Sequence, residues 1–145
     1  MQESPESTPT RSTGVGLHLH RQTALRLWEA IASGEPDALR EVLAPKTVWR
    51  MYGRSPLAGS YIGADAVLGL MAEVGERCDT MRADLVDILV SERGAVLRYA
   101  IDARRGAHRL EIEHVLITRI ACGKIVEAVF APLDQEKYDR FWLAE

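Results

Sequence analysis

The stretch from about residue 81 to residue 132 constrains this chain most. Within it the side chains switch to a period of two. Four strand-length runs follow at about 81–91, 94–105, 109–120 and 124–132. The breaks between them are Glu92-Arg93-Gly94, Gly106-Ala107 and Cys122-Gly123. Such alternation marks strands with two unlike faces. Breaks this short permit hairpins, so the four runs pair antiparallel.

The chain before residue 81 has a different period. Ala24, Leu27, Trp28 and Ile31 fall at helical spacing and predict a helix from about Leu17 to Ser33, stopped by Gly34. A short second helix starts at Glu35-Pro36-Asp37, where proline loses no needed donor and acid suits the helix dipole. Pro45 ends it. Thr47 to Tyr52 reads as a strand, and Gly53 to Gly59 as a loop. Gly63 opens a third helix to about Arg77, with Val67, Leu70, Met71 and Val74 as its buried stripe. Asp134 to Leu143 reads as a brief helix or an ordered tail.

Residues 1–16 are rich in Ser, Thr, Pro and Glu and carry almost no large apolar side chains, so they are expected to form a disordered tail. Residues 17–145 then form one domain. Helices segregated onto an antiparallel sheet make an α+β fold. Its curved sheet leaves a cavity under the helices, a common ligand site.

Composition excludes several functions. The net charge of −3 argues against a general nucleic-acid binder, which clusters Lys and Arg on phosphates. No apolar run approaches the ~18 residues of a membrane span. The N-terminus lacks the apolar core of a secretory signal, so a cytoplasmic location is expected. Cys78 and Cys122 form no C-x-x-C pair and read as reduced thiols. His18 and His20 are two apart, which fits no metal pair on one helix face. Ser55 lacks the context of a serine nucleophile. Neither a metal nor a cofactor is expected.

Three passages carry a resemblance. One is Thr47-Val48-Trp49, followed by Gly53-Arg54-Ser55-Pro56-Leu57-Ala58-Gly59 and Gly63. Another runs from Arg119-Ile120 through Gly123-Lys124-Ile125-Val126-Glu127. The third is Asp134-Gln135 with Phe141-Trp142. In these the chain resembles the SnoaL-like branch of the nuclear transport factor 2-like superfamily, over about residues 18–143. The resemblance implies a cone-shaped half-barrel closed by three N-terminal helices, and a homodimer packed through the sheets. It does not fix function, because one fold hosts many chemistries.

The known chemistries of that superfamily can be tested by residue. Ketosteroid isomerases, themselves a worked example of tuned carboxylates, need a Tyr, an Asp base and a protonated Asp. Ungapped alignment puts Leu27, Met51 and Leu116 there, or Arg50 in place of Met51 after a one-residue slip. None can do that work. The epoxide-hydrolase pattern of an Arg and two Asp meets Ala100, Asp102 and Phe130, so one of three survives. The aldol cyclases' acid also falls on Phe130.

The same register implies facing. Arg98, Ala100, Asp102 and Arg104 should share the concave face of one strand. Ile112, His114, Leu116 and Thr118 should share it on the next, and Val126, Ala128 and Phe130 on the last. With a three-residue loop at Gly106, Ala100 lies opposite His114 and Asp102 is its diagonal neighbour, at about 7–8 Å. An ionised Asp102 would then raise the His114 pKa, and the dyad could move a proton. A ligand hydrogen bond or a purely structural role is the alternative, and a two-residue loop would reverse the facing. Trp49, Met51, Tyr52 and Tyr61 form an aromatic, sulfur-rich group that is either core or a platform for a flat ligand. With Leu27, Arg98, Leu116 and Phe130 they are the expected substrate-binding residues. Val115, Ile117 and Val129 should point to the convex face, where a second copy would cover them.

These readings predict a hydrophobic small-molecule partner, with no nucleic acid and no membrane. The expected function is a cyclase or isomerase of secondary metabolism acting on a polyketide-like substrate, largely by conformational templating. The alternative is a non-catalytic small-molecule-binding or partner-stabilising protein.

Overall fold

The computed structural model describes residues 7–145, with side chains from Gly14 onward. Helix α1 spans Ser7–Ser33 and α2 spans Pro36–Val42. Strands β1 (Leu43–Met51) and β2 (Gly59–Ile62) precede α3 (Ala64–Arg77). Strands β3 (Thr80–Val90), β4 (Gly94–Arg105), β5 (His108–Ala121) and β6 (Lys124–Pro132) lead to α4 (Gln135–Leu143). The six strands form one sheet in the order β2-β1-β6-β5-β4-β3. This is the expected α+β half-barrel, with helices gathered on its concave face.

Three elements differ from the sequence reading. Helix α1 begins ten residues ahead of Leu17, with Pro9 in its first turn, where proline costs no hydrogen bond. The tail expected over residues 1–16 therefore overlaps a helix from Ser7; residues 1–6 lie outside the described residues. Helix α2 ends at Val42, because Leu43 is already extended (φ −90°, ψ 138°). Pro45 instead falls within β1, at an irregular stretch of its pairing with β6 where a missing donor is tolerated. Strand β2 is additional. It pairs with β1 through Val48↔Ile62 to Met51↔Gly59, inside what reads as loop.

The pairing is antiparallel except between β1 and β6, which run parallel. Rows of side chains cross the sheet on its concave face. One row is Met51, Phe130, Leu116, Leu97 and Ile88; the next holds His114, Tyr99 and Leu85. Burial follows these rows, and Leu27, Val67, Leu97, Leu116 and Ile125 are fully enclosed. A bulge around Val126 shifts the register, so that Ile125, not Val126, takes the core position.

Close approach explains one glycine. A Cβ at Gly94 would lie 2.1 Å from the Thr118 carbonyl oxygen. Thr118 completes that junction, its hydroxyl donating to the Ala95 carbonyl at 2.7 Å and accepting from the Ala95 N–H at 3.2 Å.

Helix α4 is tied down at several points. Asp134 caps it by accepting the Lys137 N–H at 3.0 Å. Buried Asp139 accepts from the Arg54 N–H and the Gln135 amide, both at 3.1 Å, and so pins the loop after β1 to the helix. Arg105 donates to the carbonyls of Trp142 and Ala144 at the other end. These ties position Tyr138 and Trp142 over the sheet.

Candidate functional site

A cavity of about 250 Å³ lies between the concave sheet face and the helices. Its walls come from the end of α1 (Ile31, Ala32), from α3 (Leu70, Met71, Val74), from five strands and from α4 (Tyr138, Trp142). The strand contribution includes Trp49, Met51, Met81, Tyr99, His114, Leu116 and Phe130. Among the described residues that line it, none is Asp, Glu, Lys or Arg. Every methionine after Met1 lines it: Met51, Met71 and Met81. Such unbranched, polarizable side chains adapt to varied ligand shapes.

His114 is the titratable imidazole of this cavity and is only 5% exposed. Three aromatic rings meet it edge-on: Tyr99 at 5.4 Å, Phe130 at 4.5 Å and Tyr138 at 5.4 Å between centroids. Neither ring nitrogen has a hydrogen-bond partner among the described residues. Burial pushes the His114 pKa down to about 3, so the ring is neutral at pH 7. The indole N–H groups of Trp49 and Trp142 are likewise buried without partners. The Tyr99 and Tyr138 hydroxyls donate no hydrogen bond among the described residues, and the neighbouring Trp142 indole favours the ionised form of Tyr138 slightly. Both side chains line the cavity. Burial raises the pKa of both phenols, so both stay protonated.

The His114–Asp102 dyad is not built. The hairpin between β4 and β5 pairs Arg105 with His108, leaving a two-residue turn, Gly106-Ala107. Gly106 has φ +60° at its first central position, where a type II′ turn places glycine. The register therefore sets Tyr99, not Ala100, opposite His114. A one-residue slip flips a strand's faces. Leu97, Tyr99, Ile101 and Ala103 face the core, and Arg98, Asp102 and Arg104 face away.

Asp102 is instead gripped by Arg109, whose Nε and Nη2 donate to its two oxygens at 3.0 and 2.8 Å. That hydrogen bond holds its carboxyl below the ordinary range. Arg98 pairs with Glu113 at 2.6 Å on the same convex face.

Other expected binding residues divide. Trp49, Met51, Leu116 and Phe130 line the cavity. Leu27 is fully buried in the core beside it. Tyr61 packs on the core, with its hydroxyl donating to the Leu57 carbonyl at 2.7 Å. Tyr52 is 60% exposed, since it follows β1 into the loop. The sequence reading missed Tyr99, Tyr138 and Trp142. The large apolar positions Leu97, Tyr99 and Ile101 alternate with Arg98, Ala100 and Asp102 and signal the facing of Tyr99. The helical spacing of Tyr138 and Trp142 signals a shared inner face.

Convex positions follow expectation. Leu89, Val96, Ile117 and Val129 form one row across four strands, with Val115 beside it. Leu89 is 54% and Ile117 47% exposed. Among the described residues, no helix is long and apolar enough to cross a membrane.

Comparison with known proteins places this geometry. The family model described as SnoaL-like domain matches residues 24–128. The uncharacterised protein Rv0034 of Mycobacterium tuberculosis is 27% identical over 119 residues, covering 81% of this chain and 91% of that protein. The structure of Bal32a, from a soil-derived mobile gene cassette, superposes with a TM-score of 0.83 at 25% identity, covering 88% of this chain and 98% of that one. TerC co-crystallised with polyporic acid superposes with a TM-score of 0.76 at 12% identity, covering 85% and 97%.

Proposed function

Because the chain belongs to the SnoaL-like domain family, we propose that it takes a hydrophobic, polyketide-like small molecule into the apolar cavity. There it promotes cyclisation or isomerisation, chiefly by holding the molecule in a reactive fold. The observation that carries this reading is the cavity lining: aromatic, aliphatic and thioether side chains, with no ionised group among the described residues. Its volume falls just below the usual ~300–1,000 Å³ of ligand pockets, which suits a small ring system or a short folded chain. Orientation in such a cavity supplies up to several kcal/mol of barrier lowering, enough to speed an intramolecular aldol, epoxide-opening or cycloaddition step. TerC, co-crystallised with polyporic acid, supports the same fold as a host for a small organic molecule.

A second reading is a non-catalytic binding protein. It is favoured by the convex placement of Asp102 and by the low proton affinity of His114, which leave the cavity without a strong acid or base. Incubation with a short linear diketo ester separates the two. Templating predicts faster accumulation of one cyclic product by liquid chromatography and mass spectrometry than in buffer. It also predicts loss of that acceleration in Leu116→Trp, which fills the cavity. Binding without acceleration favours the carrier.

The convex row from Leu89 to Val129 is proposed as the surface of a homodimer. An apolar stripe of this length, flanked by the Arg50–Glu127 and Arg98–Glu113 ion pairs, has the apolar centre and polar rim of a protein interface.

A further inference from the structure

We propose that Tyr99 and Tyr138 form a carbonyl-binding pair, so that the cavity selects uncharged carbonyl compounds over carboxylates of the same size. This rests on the cavity being the ligand site and names the class of ligand it takes.

The two phenols reach the cavity from opposite layers, Tyr99 from β4 in the sheet and Tyr138 from α4 above it. Both stand edge-on to the same His114 ring, and negative charge on the Tyr99 phenol would be felt at Tyr138. Both side chains line the cavity, and neither hydroxyl donates a hydrogen bond among the described residues; the Trp142 indole is the side-chain neighbour of the Tyr138 oxygen. An enclosed O–H without an acceptor costs free energy that a ligand oxygen recovers. Protonated phenols each offer a donor to a carbonyl lone pair. A carboxylate would find no cation among the lining residues, and an unpaired buried charge is far more costly than a buried ketone. His114 does not change this balance, because its neutral ring brings no positive charge.

The test uses the full chain and three probes of similar size: 1-tetralone, tetralin and 1-naphthoate. Binding is read from tryptophan fluorescence, since Trp49 and Trp142 line the cavity. Tetralone and tetralin both bind the wild type. Tyr99→Phe and Tyr138→Phe each weaken tetralone ~5- to 10-fold, the net value of one hydrogen bond, and leave tetralin unchanged. The carbonyl stretch of bound tetralone lies at lower wavenumber than in hexane and moves back in each variant.

Equal tetralone affinity in the wild type and the double variant overturns the pair while the cavity reading stands, and so does naphthoate binding as tight as tetralone. Failure of both tetralone and tetralin to bind overturns the cavity reading and the pair with it. Phenylalanine keeps the ring packing. Should a variant fail to fold, the wild-type carbonyl stretch decides, and an unshifted band overturns the pair.

Discussion

His114→Leu should make this protein more stable, by an amount that grows as the pH falls. The substitution nearly conserves volume and removes two buried ring nitrogens that lack partners among the described residues. Buried polar groups without hydrogen bonds cost ~1–3 kcal/mol by mutational measures, so a gain of that order is expected at pH 7. Acidity adds to it. The folded state holds the imidazole at a pKa of about 3, against 6.5 when unfolded. Between those values the unfolded chain binds the extra proton. Wild-type stability from this residue is therefore complete above pH 6.5 and is lost as the pH falls toward 3, at about 1.4 kcal/mol per unit. From pH 6.5 to 4.5 the loss is about 2.3 kcal/mol. The leucine variant has no such group, while the exposed carboxylates titrate alike in both proteins. Urea unfolding at pH 7.0, 5.5 and 4.5 measures the difference. A gap between the two proteins that stays constant with pH refutes the reasoning, as does a leucine variant less stable at every pH.

Other substitutions test other parts of the structure. Asp102→Asn should leave ligand affinity unchanged in a fluorescence titration, because the carboxylate points away from the cavity into Arg109; a large loss would restore the dyad. Cys122→Asn should raise the urea midpoint by about 1 kcal/mol of stability, since Cys122 (φ 52°) and Gly123 (φ 72°) occupy a tight turn that favours Asn-Gly. Ile117→Arg should shift the protein from dimer to monomer in sedimentation, with its circular dichroism unchanged. An unchanged mass would move the interface elsewhere.

Much of the fold is legible in the sequence because its signals are local. The helical stripe of Val67, Leu70 and Val74, the opening Gly63 and the period-two runs after residue 80 each depend on neighbours a few positions away. Strand β2 is not legible, because four residues of Gly-Ser-Tyr-Ile carry too little alternation to separate strand from loop. The start of α1 is equally hidden, since Ser7 to Gly14 bears no apolar stripe. The site depends on one count, the number of residues in the Gly106 turn. A register borrowed from relatives places Asp102 in the cavity. The chain's own alternation of Leu97, Tyr99 and Ile101 with Arg98 and Asp102 places it outside, as found. The unpartnered polar atoms around His114 were beyond sequence, because they arise where two strands and α4 converge.

The central claim is that one apolar cavity receives the ligand. Methionine methyl groups report on it directly, because Met51, Met71 and Met81 line the cavity. In protein labelled with methyl-carbon-13 methionine, titration with 1-tetralone should shift the Met51, Met71 and Met81 resonances along one binding curve. Three unmoved cavity methyls at saturating probe would contradict the account.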